Sequence, residues 1–191
     1  MLDPGAAPAP DLRVAWSAVF GNDRRVEVEI GPGRGEVLLA LAAAAPSTNF
    51  FAIERAAAAS EAIMARAGTR GLANVRVVAG DARCLVGRLV PDASVAVYHV
   101  YFPDPWPKTR HRDRRLATVP FARDLARTLA PGGELHVASD LRPLVDRLAA
   151  VLADAGLAVV PGATSPRRPT TSFERRYARA GTHYIRLVRP S

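Results

Sequence analysis

The sequence predicts an α/β protein built on a doubly wound, mostly parallel sheet of seven strands with helices on both faces. Two observations predict this fold: short apolar runs alternate along the chain with Ala- and Leu-rich segments, and glycine or proline follows most of those segments. The 191 residues, 49% hydrophobic and 23% charged, fit one globular domain. Ligands of such sheets bind beyond the carboxyl ends of the strands, so functional residues are expected there.

The expected elements follow one another along the chain. Strands are expected at Val26–Ile30, 50–53, 75–78, 94–100, 134–138, 157–160 and His183–Val188, and helices at Glu36–Ala44, 56–67, 83–89, 118–129 and 141–155. Pro46, Gly68 and Gly156 come just after three of these helices. Proline ends a helix because it lacks a backbone N–H, and glycine because it readily adopts the left-handed conformation found at helix ends. Residues 1–25 are expected to form a partly mobile N-terminal segment, and residues 26–191 a single domain.

The cysteine, histidine and hydropathy patterns argue against several classes of protein. Cys84 is the only cysteine, and four histidines stand singly, namely His99, His111, His136 and His183, so neither a disulfide framework nor a close-spaced metal site is expected. No uncharged stretch approaches the roughly 18 residues of a membrane span, and the N-terminus lacks an export-signal pattern. We therefore expect a cytoplasmic protein without metal or membrane contact, as a monomer or, alternatively, a homodimer.

The charge is concentrated in two stretches. The chain has 26 basic and 18 acidic residues, a net charge of +8. Residues 108–115 contribute +4 and residues 164–191 contribute +6, so the rest of the chain is slightly acidic. Clustered basic groups favour a polyanionic partner such as nucleic acid, because they release counterions from its phosphates. The alternative is a solvated basic surface that reflects the Arg and Ala preference of a GC-rich genome.

A glycine-rich motif, EIGPGRG at residues 29–35, joins the first strand to the first helix. A dinucleotide-binding fingerprint would need a glycine where Glu36 stands, and the carboxylate of Glu29 would repel a pyrophosphate while attracting a cation. S-adenosylmethionine carries a sulfonium and an ammonium and no phosphate, so the motif favours this cofactor; a tight turn without a ligand is the alternative. Three glycines would let the backbone turn and approach the ligand: Gly31, Gly33 and Gly35.

Acidic residues also end the next two expected strands. Glu54 closes the second strand, where a carboxylate can accept hydrogen bonds from both hydroxyls of a ribose. Asp81 follows the third strand, where a carboxylate can accept from the exocyclic amine of an adenine. Either residue could instead be the N-cap of the helix that follows. Together with Glu29, the acids at three successive strand ends indicate a nucleoside that carries a positive charge.

The fourth strand runs into a proline-rich loop, YFPDPWPK at residues 101–108. Its three prolines fix the backbone, and this stiffness can hold Asp104 and Trp106 in one geometry. Asp104 could accept from the N–H groups of a base, and Trp106 could stack on its ring. A rigid surface turn with a capping Asp and a packed Trp is the alternative. The basic run of residues 108–115 follows at once, which would place phosphate contacts beside a base pocket.

These residues resemble a known family, the bacterial tRNA (guanine-N7-)-methyltransferases. The resemblance covers about 160 residues and rests on EIGPGRG, Ala52-Ile53-Glu54, Gly80-Asp81-Ala82, FPDPWPKTRHRDRR, Ala138-Ser139-Asp140 and Thr171-Ser172-Phe173-Glu174. It implies the class I S-adenosylmethionine-dependent methyltransferase fold, which is Rossmann-like. It also implies that S-adenosylmethionine is bound by Glu29, Gly31, Gly33, Gly35, Glu54, Asp81 and Asp104, with Asp104 as the catalytic residue.

The resemblance implies two further groups of residues. The substrate would be contacted by Trp106, Lys108, Asp140, Thr171, Ser172, Phe173 and Glu174. RNA would be contacted by Arg110, His111, Arg112, Arg114 and Arg115. Without the resemblance, Asp140 is interpreted as a helix cap and residues 171–174 as a polar loop.

Three functions are therefore weighed. The first is transfer of a methyl group from S-adenosylmethionine to N7 of a guanine in tRNA. The second is a paralogue that methylates a ring nitrogen of a small heteroaromatic metabolite, an idea motivated by the net-neutral residues 1–25, where family members often carry a longer basic arm. The third is a non-catalytic RNA-binding protein on the same scaffold. The intact acids at four strand ends argue against the third function, and the retained basic run argues against the second.

Overall fold

A computed structural model describes residues 12–105, 116–166, 168–177 and 181–191 of the chain. Within these ranges the strands are β1 Val26–Ile30, β2 Asn49–Glu54, β3 Val75–Ala79, β4 Val95–Tyr101, β5 Leu129–Ser139, β6 Ala158–Val159 and β7 His183–Val188. The helices are α1 Trp16–Phe20, α2 Glu36–Ala44, α3 Ala57–Thr69, α4 Ala82–Leu89, α5 Val119–Thr128, α6 Arg142–Asp154 and α7 Ser172–Tyr177.

The seven strands form a single sheet in the order β3-β2-β1-β4-β5-β7-β6. Neighbouring strands are parallel except for β7, which runs antiparallel to both β5 and β6. The strand order reverses between β1 and β4, and the crevice at such a point is where open α/β sheets bind ligands. The prediction of a doubly wound, mostly parallel sheet is therefore confirmed.

Helices cover both faces of the sheet, as predicted. On one face, α2 and α3 bury Leu38, Leu39 and Ile63 against Phe50 and Ala52 of β2. On the other face, the core combines strand residues with side chains of α1, α4, α5 and α6, namely Val28, Ile53, Tyr98, Val100, Phe20, Val86, Leu125 and Leu148. Burial on both faces explains why residues 50–53 of β2 are continuously apolar, whereas β1, with the sequence VEVEI, alternates.

Two short helices were not predicted. α1 is five residues long, and its Trp16 packs edge-on against Phe51 at a centroid distance of 5.1 Å while its indole N–H donates to Ser94 Oγ at 3.0 Å. α7 occupies the segment interpreted as a polar loop. Both helices are too short to show a helical hydrophobic period, so tertiary contacts rather than pattern stabilise them.

The structure also corrects two strand limits. β5 begins at Leu129 and includes Pro131, Gly132 and Gly133, whereas the sequence predicts a helix that continues to residue 129 and a strand that begins at residue 134. β6 has two residues where four were expected. Of the N-terminal segment, residues 12–25 lie on the domain, where the Val14 N–H donates to the Leu89 carbonyl at 2.8 Å. Residues 1–11 lie outside the described residues, so the division at residue 25 stays a prediction.

Candidate active site

A cavity of about 560 Å³ opens at the carboxyl ends of β1, β2, β3 and β4. Nine of the predicted site residues line it: Glu29, Gly31, Gly33, Glu54, Asp81, Asp104, Thr171, Ser172 and Phe173. Gly35, Asp140 and Glu174 are described but do not line the cavity. Seven predicted residues lie outside the described residues: Trp106, Lys108, Arg110, His111, Arg112, Arg114 and Arg115.

The glycine-rich loop turns through left-handed backbone at its three glycines. Gly31 and Gly33 have φ values of 67° and 55° and open space where a side chain would lie, so they present bare backbone to the cavity. Gly35 has a different reason to be glycine. A Cβ there would lie 2.9 Å from Cγ1 of Ile63, so its absence lets the start of α2 approach α3 closely.

The carboxylate of Glu54 bridges the ends of two backbone segments. Its Oε2 accepts from the Gly33 N–H and its Oε1 from the Ala56 N–H, both at 2.9 Å. The side chain is buried, so these two hydrogen bonds hold the glycine-rich loop against the end of β2. Each oxygen keeps a second lone pair, and the pair could accept from the two hydroxyls of a ribose.

Glu29 is the most perturbed acid of the cavity. It is 4% exposed, and its Oε2 has no hydrogen-bond partner among the described residues. Burial raises its pKa to about 8, against the opposing effect of the positive charge of Arg168; the neighbouring Glu54 raises it further. A buried carboxyl that is uncharged at neutral pH, with one oxygen unused, is suited to a cationic ligand that would ionise it.

Asp81 acts as the N-cap of α4, the alternative weighed for it from the sequence. Its Oδ1 accepts from the Arg83 N–H at 3.0 Å and from Arg83 Nε at 2.9 Å, and its Oδ2 forms an ion pair with the same guanidinium. These hydrogen bonds lower the pKa of Asp81. Asp81 also lines the cavity, so the cap fixes its carboxylate at the rim.

The proline-rich loop begins with a strained turn. Phe102 has φ of 51°, which is rare for a side chain of this size, and its N–H donates to the Ala138 carbonyl at 2.7 Å. This turn directs residues 103–104 across the cavity, where Asp104 is exposed and contributes to the lining. Strain of this kind is concentrated at functional sites because the surrounding contacts must hold it.

The far wall of the cavity is formed by α7 and the residues before it. Thr171 and Glu174 make a capping box: Thr171 Oγ1 accepts from the Glu174 N–H at 3.1 Å, and Glu174 Oε2 accepts from the Thr171 N–H at 2.9 Å. The Ser172 N–H donates to Glu36 Oε2 at 2.5 Å, which ties the wall to the start of α2. This hydrogen bond is the main cause of the lowered pKa of Glu36. The Thr-x-x-Glu spacing was the sequence signal that could have revealed the helix.

Phe173 is 44% exposed and packs against Phe102, with the ring centroids 5.3 Å apart. Both rings line the cavity and so offer an apolar surface on which a planar group could stack.

Asp140 lies apart from this wall at the end of β5. Its Oδ1 is 3.4 Å from the hydroxyl of Ser139, and Ser139 Oγ, not Asp140, accepts from the Leu141 N–H. The helix-cap interpretation of Asp140 is therefore wrong.

The structure brings together two of the histidines that stand singly in the sequence. His99 and His136 lie opposite each other on β4 and β5 and stack at 5.6 Å. The carboxylates of Glu27 and Glu134 accept from their Nε2 atoms, each at 2.9 Å. His99 Nδ1 then accepts from the hydroxyl of Tyr101, a lining residue, at 3.0 Å. Among the described residues, no group of three or more His, Cys, Asp or Glu side chains could hold a metal ion.

Charged side chains of both signs line the cavity. Five are acids, namely Glu29, Glu36, Glu54, Asp81 and Asp104, and four are arginines, namely Arg34, Arg55, Arg83 and Arg176. Glu29 and Glu54 are buried, whereas Arg34, Arg55 and Arg176 are exposed. Buried acids suit a cationic nucleoside, and exposed arginines suit the phosphates of a larger ligand.

None of the described helices is both long and apolar enough to span a bilayer.

Comparisons with known proteins agree with this description. Residues 23–187 match a family model described as "Putative methyltransferase". The tRNA (guanine-N(7)-)-methyltransferase of Sodalis glossinidius (strain morsitans) is 40% identical over 171 residues, which cover 86% of this chain and 72% of that protein. The enzyme of the same name from Leifsonia xyli subsp. xyli (strain CTCB07) is 43% identical over 171 residues, covering 86% and 75% of the two chains.

Solved structures share the fold. The 16S rRNA methyltransferase KamB superposes with a TM-score of 0.68 at 20% identity, covering 92% of this chain and 93% of its own. The [4+2]-cyclase SpnF superposes with a TM-score of 0.61 at 18% identity, covering 91% and 79%. Because one fold is shared by proteins described as a methyltransferase and as a cyclase, the superpositions establish architecture and not the reaction.

Proposed function

The chain belongs to the tRNA (guanine-N7-)-methyltransferase family, and from this premise we propose that it transfers a methyl group from S-adenosylmethionine to N7 of a guanine in tRNA. The observation that carries the proposal is the set of acids at successive strand ends around one cavity, in a chain about 40% identical to enzymes of that name. The small-metabolite alternative is not favoured, since those relatives are described as tRNA enzymes.

The residues of the cavity fit S-adenosylmethionine. Glu29 offers a buried oxygen without a partner, suited to the ammonium, and Glu54 offers free lone pairs to a ribose. Gly31 and Gly33 leave space where side chains would obstruct a close approach. Asp81, fixed by its cap at the rim, is the acceptor proposed for the adenine amine. When bound, the cofactor supplies an electrophilic methyl group on its sulfonium.

The remaining residues act on the guanine. Its N7 already holds an in-plane lone pair, so no general base is required, and the rate must come from alignment and electrostatics. We assign to Asp104 the role of accepting from the guanine N1–H and amino group, where its charge would offset the positive charge that develops on the purine. Phe173, which packs against Phe102 and is 44% exposed, would stack on the ring plane with its open face.

The partner and location follow from the same proposal. The arginines that line the cavity and the basic residues 108–115 would contact tRNA phosphates, because their positively charged groups bind phosphate oxygens. With tRNA as substrate, we place the reaction in the cytoplasm. A monomer remains the expectation.

Methyl transfer to unmodified tRNA tests the proposal. The protein is incubated with tRNA and methyl-labelled S-adenosylmethionine, and the labelled nucleoside is identified; 7-methylguanosine is the expected product. A parallel reaction contains small azaheterocycles in place of tRNA. Label transferred only in that reaction, or tRNA binding without transfer, would refute the proposal.

Substitution of Asp104 tests its assigned role. Asp104→Asn should lower kcat at least ~100-fold, because one preorganised charge acting on the transition state is removed, while the Kd for S-adenosylhomocysteine changes less than about threefold. Asp154→Asn, on an exposed carboxylate in the last turn of α6, serves as the matched control and should change neither quantity. Equal losses of kcat and of affinity in Asp104→Asn would assign Asp104 to cofactor binding instead.

A further inference from the structure

Arg168 lies between the two halves of the cavity and is not among the residues expected from the sequence to act there. Its side chain is 5% exposed, and its guanidinium forms a two-pronged ion pair with Glu174, with Nη1–Oε2 and Nη2–Oε1 distances of 2.6 and 2.8 Å. Glu174 in turn closes the capping box with Thr171. Arg168 therefore holds the first turn of α7, the wall that carries Phe173.

The opposite side of Arg168 contacts the end of β4. Its guanidinium carbon lies 4.5 Å from the ring centroid of Tyr101 and 5.9 Å from that of Phe102. Both aromatic residues line the cavity, whereas Arg168 itself does not. The plane of the guanidinium thus lies over the aromatic ring of Tyr101 at the end of β4, while its N–H groups bind Glu174 of α7. A buried cation–π contact of this kind is energetically significant.

Arg168 also acts on the acid expected to meet the cofactor. Its positive charge lowers the pKa of Glu29 and so opposes the effect of burial, while the nearby Glu54 acts in the reverse direction and Tyr101 is the other titratable neighbour. Both Oε2 of Glu29 and Nε of Arg168 are buried without hydrogen-bond partners among the described residues. Arg168 therefore affects the ionisation of Glu29 on the cofactor side of the cavity and also holds α7 on the opposite side.

We propose that Arg168 is a positioning residue that joins the guanine-binding wall on α7 to the cofactor-binding ends of β1 and β4, so that the two subsites form one unit. The inference rests on the proposed function, since it names subsites of that reaction. This role requires arginine specifically. A planar guanidinium can stack on Tyr101 and donate hydrogen bonds to both oxygens of Glu174 at once, whereas the ammonium of lysine is a point charge that cannot form this combination.

Two substitutions separate the charge of Arg168 from its shape. Arg168→Lys keeps the positive charge near Glu29 but removes the bidentate pair with Glu174 and the stacking of the guanidinium on Tyr101. Arg168→Gln removes the charge as well. The matched control is Arg142→Gln, which breaks an arginine–carboxylate pair with Asp146 at 2.7 Å on the surface of α6, where the two side chains are 66% and 57% exposed.

Three measurements are made on each variant at matched folded fraction. Calorimetry gives the Kd for S-adenosylhomocysteine between pH 6 and 8, steady-state kinetics give kcat and the KM for tRNA, and hydrogen exchange follows the backbone amides of residues 172–176 with and without S-adenosylhomocysteine. In the wild type, we expect the ligand to slow exchange in this segment, because the two subsites are joined through Arg168.

Arg168→Lys should raise the KM for tRNA about tenfold with kcat within about threefold, and should abolish the ligand-dependent protection of residues 172–176. Its binding of S-adenosylhomocysteine should keep the wild-type pH dependence. Arg168→Gln should show the same loss of protection. In addition, the pH dependence of its Kd for S-adenosylhomocysteine should shift to higher pH, because the pKa of Glu29 rises when the positive charge of Arg168 is removed. Arg142→Gln should match the wild type in all three measurements.

Two outcomes would overturn the inference. One is an Arg168→Lys protein with wild-type KM and wild-type protection of residues 172–176. The other is a set of variants in which kcat, KM and ligand affinity all change only as far as the folded fraction falls, since that describes a stabilising residue. Should Arg168→Gln fail to fold, Arg168→Lys alone decides. If the wild type does not methylate tRNA, the proposed function fails, and the calorimetric and exchange measurements still test the coupling.

Discussion

Replacement of Glu29 by glutamine should make the protein more stable at alkaline pH while weakening its affinity for the cofactor. The carboxyl has a pKa of about 8 in the folded protein, against an ordinary value of 4.5. Between these values the folded state holds a proton that the unfolded chain has released. The stability from this proton is therefore fully present below pH 4.5 and is lost as the pH rises through 8.

The size of the effect follows from the two pKa values. At about 1.36 kcal/mol per pH unit, the interval from 4.5 to about 8 corresponds to a loss of about 5 kcal/mol in the free energy of unfolding, of which about 3 kcal/mol falls above pH 5.5. Glutamine has a similar shape and does not titrate, so Glu29→Gln removes this dependence. Its advantage over the wild type should grow by about 3 kcal/mol between pH 5.5 and 8.5.

Urea unfolding of both proteins at the two pH values measures this difference. Glu61→Gln, on the exposed side of α3, is the matched control and should keep the pH dependence of the wild type. Calorimetry on the same samples should show that Glu29→Gln binds S-adenosylhomocysteine at least ~10-fold more weakly, because the ammonium loses its charged partner. Parallel stability curves for the wild type and Glu29→Gln would refute the reasoning, since they would mean that an ionised Glu29 is tolerated without cost.

Three further outcomes are expected. Cofactor binding should release a proton, so the enthalpy of S-adenosylhomocysteine binding at pH 7 should depend on the ionisation enthalpy of the buffer; buffer-independent enthalpies would contradict ionisation of Glu29 on binding. Burial, with a smaller effect of His99, lowers the pKa of His136 to about 4, so stability should be lost as the pH falls from about 6.5 to 4. His136→Gln should flatten that loss in urea unfolding, and an unchanged slope would disprove it. Gly35→Ala should cost about 2 kcal/mol of unfolding free energy, because φ is +66° and the new Cβ would lie 2.9 Å from Cγ1 and 3.1 Å from Cγ2 of Ile63. Ile63→Ala removes both of these atoms, so the loss in Gly35→Ala combined with Ile63→Ala should be smaller than the sum of the losses in the two single variants. Additive losses would place the cost of Gly35→Ala in the backbone alone.

Sequence patterns predicted the sheet well because its strands and helices are long enough to show their periods. Val26–Ile30, where apolar residues alternate with glutamates, coincides with β1, and the Ala- and Leu-rich Glu36–Ala44 coincides with α2. The misses are short or unusual. α1 and α7 have five and six residues, and β6 has two, so none shows a period. For α7, a local rule existed, since Thr171 and Glu174 have capping-box spacing.

The cavity was predicted from strand ends because parallel strands bring successive carboxyl ends to one edge. Glu29, Glu54 and Asp81 meet there for that reason. Contacts between distant segments follow no such rule. Arg168 reaches Tyr101 across 67 positions of the chain, and His99 stacks on His136 only because β4 and β5 pair in that register. Such pairings depend on topology, which spacing along one chain does not encode.

A helix-capping role and a ligand-binding role, weighed as alternatives for Glu54 and Asp81 from the sequence, do not exclude each other. Asp81 is the N-cap of α4, whereas the N-cap of α3 is Ala56 and not Glu54. A carboxylate has about four lone-pair sites, and Glu54 uses one on each oxygen for backbone N–H groups, which leaves two for a ligand. Asp81 likewise caps α4 while it faces the cavity. Backbone contacts stabilise these two acids when no ligand is bound.

Glu29 has an oxygen without such a contact, and its raised pKa reflects the missing partner. A buried carboxylate stays ionised only when hydrogen-bond or charged partners replace the water that it has lost. The acid that is least stabilised without a ligand is therefore the one whose ionisation a cationic ligand can most strongly favour, which is why Glu29, rather than Glu54 or Asp81, should control affinity for the cofactor.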